Sequence, residues 1–342
     1  PRGSGASATL ATSPATINGS GQASVTATAN ATVGGPYNVA ANANGATPAV
    51  NFALTNTNPS PTITAGAALT RQQGTAASNA TIATVNDPNQ TAGTLTVTAT
   101  TVPAGITVSN IVNTNGTITA NVAAGCNAAV GANTIVLTVT DSFGAMMTAN
   151  LTVNVTANTA PTLAYTTPQS VVAAAALNVP VTTATDNGSI TGYSIVSVTP
   201  ALNTAPTVNS SGMVSITNAG QAGSHVITVQ ATDNCGATTN ASFTLNVTCP
   251  VINATVAGGG AICPSGSSTV TVTITGGTAP YTVTLNNGGG TLTGASPLSF
   301  TVSPAATTTY SVQTATDANG CAVTATGSAT VIELIALPTA VA

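Results

Sequence analysis

Few side chains in this sequence can do chemistry, and their types limit what that chemistry is. Among 342 residues there are 2 Lys+Arg, 6 Asp+Glu, 1 His and 5 Cys. Both cations are arginines, Arg2 and Arg71, so lysine is absent. That excludes a Schiff-base lysine, a P-loop lysine and Lys–Asn isopeptide cross-links. It also excludes the basic patch that nucleic acid or an anionic membrane surface attracts. His225 has no nucleophile and orienting acid near it, as a catalytic triad requires. Its place at the start of a strand predicts a solvent-exposed ring.

Asp141, Asp186, Asp233 and Asp317 each begin or precede a turn, and Asp87 stands near Asn86 and Asn89. A Ca2+ site takes about six to eight oxygens, normally several of them from carboxylates. These acids are thinly spread, so a turn-forming carboxylate that bonds the local backbone is the expected role. Gly258-Gly259-Gly260 and Gly288-Gly289-Gly290 precede no helical sequence, so they read as hairpin loops and not as phosphate cradles. The sequence therefore predicts no catalytic residue, no metal site, no cofactor and no enzymatic activity.

Cys263 and Cys321 fall in one stretch of strands, the first before an early strand and the second beside a closing turn. They are the expected disulfide. Cys235 and Cys249 flank one strand about 14 residues long, roughly 45 Å if extended, so they cannot pair with each other. The odd total leaves at least one thiol free or intermolecular, and no C-x-x-C is present to suggest zinc. Cysteine in a Thr/Asn-rich chain without lysine fits an oxidising, extracellular setting. Asn-x-Ser/Thr sequons, candidate glycosylation sites, begin at Asn18, Asn30, Asn79, Asn89, Asn115, Asn150, Asn154, Asn187, Asn209, Asn240, Asn246 and Asn253.

The elements that position these groups are strands. Ile135 to Thr140, Leu151 to Thr156, Phe243 to Thr248 and Val270 to Thr275 alternate aliphatic residues with Thr or Asn, the pattern of a half-buried antiparallel strand. No stretch has a clear 3.6-residue period. A strand, a turn opening on Asp and closing on Gly, and a second strand recur around Asp141-Ser-Phe-Gly144, Asp233-Asn-Cys-Gly236 and Asp317-Ala-Asn-Gly320. In the third copy Tyr310 and Val312 are out of step with the others, which one extra residue in a bulge explains. The spacing, about 85–95 residues, matches one β-sandwich per repeat. Pro-containing joints then give 1–57 as a partial unit, 58–157, 158–248 and 249–334 as complete ones, and 335–342 as a strand-like tail.

These stretches resemble the tandem immunoglobulin-like repeats of large bacterial cell-surface and adhesin proteins. The residues that carry the likeness are PTIT…TVNDPN…LTVTDSFG…ANLTVNV, NTAPTL…ATDNCGATTNASFTLNV, and ICPSGSSTVTVTITGGTAPYTVTL…ATTTYSV…TDANGC. Residues 14–57 resemble the C-terminal half of an invasin-type immunoglobulin-like domain. The resemblance implies an all-β chain of tandem Ig-like β-sandwich domains in an extended array, with no catalytic residues to carry over. The unit at 1–57 lacks strands and the tail has one to spare. Ile335, Leu337 and Val341 are thus candidate donor-strand residues that complete the first unit of another copy. The expected protein is a non-enzymatic extracellular structural subunit, forming a surface filament or sheath by head-to-tail self-association. The alternative is the stalk or ligand-binding region of a larger adhesin, with surface glycans or other cells as partners. No transmembrane segment is expected.

Overall fold

The computed structural model describes residues 5–334, so the proposed donor residues Ile335, Leu337 and Val341 lie outside the described residues. Among the described residues there is no α-helix, and the one helical element is a 3-10 turn at Ala92–Thr94. The chain divides into two compact units, the first ending at Asn158 and the second beginning at Thr159.

The first unit contains a sandwich of two four-stranded sheets. One has the order Thr62–Ala65, Ser78–Asn86, Thr117–Ala124, Ile106–Thr114. The other runs Leu69–Gln72, Met146–Thr156, Gly131–Thr140, Thr96–Thr101. Counted along the chain, the first, third, sixth and fifth of eight strands face the second, eighth, seventh and fourth, which is the division of an immunoglobulin-like fold when the first two short strands are taken as one split strand. Alternation decides what lies between them. Ile135, Leu137, Val139, Leu151, Val153, Ile82, Ile118 and Val122 are all essentially inaccessible, while their Thr and Asn neighbours, apart from the buried Thr138, are half-buried or exposed. Each such aliphatic side chain contributes about 1.5–3 kcal/mol by leaving water.

The second unit repeats the plan twice. Around the first of its cores, the sheet Gln169–Val172, Thr238–Thr248, Gly223–Asp233, Ile190–Thr199 faces shorter ladders, Thr162–Tyr165 with Val181–Thr185 and Leu177–Val179 with Val214–Ile216 and Thr207–Val208. Around the second, Leu298–Val302, Ser268–Thr275, Asn253–Gly258 and Thr324–Thr326 form one sheet. Two three-stranded sheets complete it: Gly260–Ile262, Ala329–Glu333, Thr308–Tyr310 and Thr291–Gly294, Tyr281–Leu285, Val312–Thr316. The buried side chains of both, Phe243, Leu245 and Ile227 through Ile252 to Val270 and Phe300, form one continuous apolar cluster. Every sandwich also pairs an early strand in parallel with its last: Leu69–Gln72 with Val153 to Thr156, Gln169–Val172 with Leu245 to Thr248, and Gly260–Ile262 with Val331 to Glu333. On the outer faces Thr hydroxyls bond across strands, as in Thr282–Thr293 at 3.0 Å and Thr284–Thr291 at 2.9 Å.

Two loop expectations part company. Gly288 to Gly290 do form a hairpin turn, with the Gly289 N–H donating to the Asn286 carbonyl. Gly258 to Gly260 do not: they carry the chain from one sheet to the other without reversing it, all three at positive φ. A Cβ at Gly259 would strike the Thr330 carbonyl oxygen, so the crossing needs glycine. The out-of-step strand of the third repeat breaks at Ser311, where Thr308–Tyr310 pairs with one sheet and Val312–Thr316 with another.

The disulfide expected between Cys263 and Cys321 is not formed. Cys321 bonds Cys249, with Cα atoms 5.5 Å apart, and Cys263 is a free, exposed thiol. The reason is which end of the sandwich each occupies. Cys249 enters beside the closing turn that holds Cys321, whereas Cys263 follows Ile262, whose carbonyl accepts from Leu334 at the far end of the last strand. That is on the order of 30 Å away along the strand. The Cys249–Cys321 link closes a loop with a sequence separation of 72. Loop-closure entropy for that length is worth about 4 kcal/mol. Peptide mapping without reduction should recover the Cys249–Cys321 pair with Cys263 alkylated, and Cys249→Ser with Cys321→Ser should lower the second unit's denaturation free energy by about that amount.

Candidate functional site

The three Asp-led hairpins close in the same way. The Asp141 carboxylate Oδ1 accepts from the backbone N–H of Phe143 at 2.9 Å and of Ala145 at 2.8 Å. Asp233 Oδ1 accepts from Cys235 and Ala237, both at 2.8 Å, and Asp317 Oδ1 from Asn319 and Cys321, both at 2.9 Å. In each, the Asp N–H donates back across the turn, to Ala145, Ala237 and Cys321, and the glycine takes positive φ. The expected turn role is therefore met, with the carboxylates more buried than a surface turn requires: Asp141 and Asp317 are 5% exposed and Asp233 is 2%. A buried charge survives only where hydrogen bonds replace its water. Asp186 makes a smaller version, with its Oδ2 accepting from the Gly188 N–H at 2.8 Å.

The second carboxylate oxygen of these turns reaches outward. Asp317 Oδ2 accepts from the Thr278 N–H at 3.0 Å. Asp141 Oδ2 accepts from the Asn58 amide at 2.6 Å, and Asn58 Oδ1 accepts in turn from the Asn89 amide at 3.1 Å. Asn89 belongs to the loop of Asp87, whose Oδ1 accepts from the N–H groups of Asn89 at 2.9 Å and Gln90 at 3.1 Å. Gln90 Oε1 accepts from the Ser142 N–H at 3.1 Å and closes the circuit. A chain of amides thus joins the two buried carboxylates of this rim, beside a surface cavity of about 580 Å³ lined by Asn89, Gln90, Asn56 and Pro59 among others. Burial pushes the Asp141 pKa upward, but the Asn58 amide and the turn N–H groups outweigh it and hold the carboxyl below its ordinary 3.8.

His225 corrects its expectation. It is 5% exposed, not solvated, because it shares the inward parity of Ile227 and Val229, and its Nδ1 lies 2.9 Å from the Pro200 carbonyl oxygen. Tyr165 is anchored similarly, its hydroxyl donating to the Gly212 carbonyl at 2.6 Å, and burial followed by the nearby Tyr193 pushes its pKa up to about 12.

Between Gly5 and Thr55 no residue is buried, and the first buried side chain is polar, Asn56. Its amide nitrogen donates to the carbonyls of Ser7, Asn30 and Thr32 and to Asn30 Oδ1, and its Oδ1 accepts from the Tyr37 hydroxyl at 2.7 Å. That hub ties together two separate two-stranded ladders, Ala8–Leu10 with Ala27–Ala29 and Gly34–Ala41 with Val50–Asn56. In the second ladder Tyr37, Val39 and Ala41 stand opposite Leu54, Phe52 and Val50, all on one face. Phe52 is 55% exposed and Val50 60%. On this apolar sheet face Tyr37, Val39 and Leu54 are half-buried, while Ala41, Val50 and Phe52 are exposed.

Among the sequons, Asn79, Asn115, Asn150, Asn154, Asn209, Asn240 and Asn253 are exposed, while Asn89 is half-buried with its amide nitrogen engaged. Asn30 spends its amide nitrogen on the Gly5 carbonyl. Neither Asn56 nor Asn58 stood out in the sequence. Their signal is position alone, in the Asn56-Thr57-Asn58-Pro59 joint, where an asparagine can satisfy backbone on both sides. No group of three or more His, Cys, Asp or Glu gathers to hold a metal among the described residues. Among them no helix is long and apolar enough to cross a membrane.

No family model and no curated protein matches the sequence. Solved structures do. An I-band fragment of titin, I67–I69, is 10% identical, covering 80% of this chain and 99% of that one, with a TM-score of 0.33. Mouse cadherin-23 EC22–24 is 17% identical, covering 81% and 99%, with a TM-score of 0.27. Immunoglobulin domains 1–5 of Sidekick-1 are 15% identical, covering 96% and 74%, with a TM-score of 0.28. The assignment of tandem Ig-like β-sandwiches rests on the strand topology itself.

Asp317→Ala should cost about 1–3 kcal/mol for each of the two turn N–H groups left without an acceptor, read as a lower urea midpoint. The lowered Asp141 pKa gives stability that is complete above the ordinary 3.8 and is lost as pH falls through the folded value. Asp141→Asn should therefore flatten the acid limb of the stability curve between about pH 5 and pH 2, whereas an unchanged limb would show that the turn carboxylate is not what protonates.

Proposed function

We propose that the chain is a non-enzymatic structural repeat region that works outside the cell, and that it is the subunit of a filament or sheath. Copies join head to tail when a strand from one covers the apolar face of Tyr37, Val39, Val50, Phe52 and Leu54 in the next. The single observation that carries this is that face: strands paired in register, with exposed Phe52 and Val50 and no buried apolar residue anywhere between Gly5 and Thr55. Two strands with a hydrophobic face need a third element to be independently stable. A strand added at an unpaired edge supplies both backbone hydrogen bonds and apolar cover. The donor is the tail carrying Ile335, Leu337 and Val341. A heterologous contact of this kind propagates as an open fibre. The disulfide fits an oxidising compartment, and the residues resemble bacterial surface repeats. Exposed sequons leave room for glycan.

A second reading, the stalk of a larger adhesin, is favoured by the continuous apolar cluster that runs through both cores of the second unit, since a spacer benefits from neighbours that do not hinge freely. Light scattering and negative-stain microscopy of the full chain against concentration separate the two. Regular filaments that vanish both on deletion of residues 335–342 and with Phe52→Lys support strand complementation. A chain that stays monomeric at every concentration returns the stalk.

A further inference from the structure

The rim of the first unit holds buried polar atoms that its turns leave unused. Asp87 is 5% exposed, and although its Oδ1 takes two backbone N–H groups, its Oδ2 is buried and bonded to nothing. Asn89 Oδ1 and Gln90 Nε2, in the same loop, are buried and unpartnered as well. An ionised carboxylate oxygen shut away from water with no donor is costly, and among the described residues Asp186 Oδ1 is the one other carboxylate oxygen in that state. No arginine or lysine is among the groups bonded to this cluster. Through Asn89 and Asn58 the same cluster runs to a second carboxylate, that of Asp141.

We infer that this rim is a calcium site, in which Asp87 Oδ2 and Asn89 Oδ1 bind the cation directly and Asp141, linked to Asn89 through Asn58, adds negative charge nearby. The donor set is all oxygen, from carboxylates and side-chain amides on loops, which suits the large, irregular coordination of Ca2+ better than the strict octahedron of Mg2+. Asn58 stands between Asp141 and Asn89, its amide on Asp141 Oδ2 and its Oδ1 on the Asn89 amide, so Asp141 acts on the cation through its charge and not as a ligand. Gln90 Nε2 is a donor and no ligand, so the remaining coordination falls to water, which such sites retain to reach their coordination number. Two carboxylates are few. Affinity follows ligand charge, so the site belongs to the weak class of extracellular modules, about 10⁻⁴ to 10⁻³ M.

The site is independent of filament assembly, and its test is calorimetric titration of the full chain with CaCl2 after removal of divalent ions by chelator. One saturable event in that affinity range is expected. Asp87→Asn should weaken it at least tenfold, while Glu333→Gln, which removes the same charge elsewhere, should leave it unchanged. Asn89→Asp adds a charge at a ligand position and should tighten binding several-fold, a gain that no misfolded variant can produce. Absence of saturable Ca2+ binding by the unaltered chain overturns the proposal, as does Asp87→Asn binding equal to it. Mg2+ competing with equal affinity overturns the assignment to calcium.

Discussion

Each of the three sandwiches closes its last hairpin around a carboxylate that accepts two backbone N–H groups of its own turn. In an ordinary domain such a turn is one of many polar arrangements. Here the three such turns hold half of the chain's acidic residues, since Asp+Glu number 6 in 342 residues. The hairpins so closed bring together the two longest strands of each of the first two sandwiches, and those strands carry the most deeply buried side chains, Ile135, Leu137, Leu151 and Val153 in one and Ile227, Val229, Phe243 and Leu245 in the next. Registering the hairpin sets which face of both strands turns inward, because a slip of one residue would exchange the aliphatic and threonine faces. The core therefore depends on the turn as much as the turn on the core.

The outward oxygens of the same carboxylates give the sandwiches their individuality. Asp317 is satisfied by a neighbouring backbone N–H, and Asp141 by an asparagine from the joint before its own first strand. Recruiting that asparagine gathers amides and acids at one rim. Buried carboxylate oxygens are rarely left without a partner, and in a chain that avoids charge the open oxygens of Asp87 and Asp186 stand out.

Much of this was legible in the residues, for a definite reason. A half-buried antiparallel strand writes its two faces directly as alternation, so the strands at Ile135, Leu151, Phe243 and Val270 and the turns at Asp141, Asp233 and Asp317 stand where the pattern puts them. The burial of His225 is written in its parity with Ile227, which outweighs its place at a strand end. The pairing of Cys249 with Cys321 was not, because it depends on which end of a sandwich each residue reaches. Three consecutive glycines do not say whether the chain turns back, as at Gly288 to Gly290, or crosses between sheets, as at Gly258 to Gly260. The hub at Asn56 left no pattern, since its five partners come from four separate positions in the chain.

The parallel pairing of an early strand with the last has a mechanical meaning. Where a chain enters a sandwich along one strand and leaves along a neighbour running the same way, tension between the two ends slides the strands past each other. It does not peel them apart. The hydrogen bonds of Leu69–Gln72, Gln169–Val172 and Gly260–Ile262 to their closing strands then bear the pull together, and none can fail before the others are loaded. Each sandwich is clamped in shear, the geometry in which short, weak bonds resist force best.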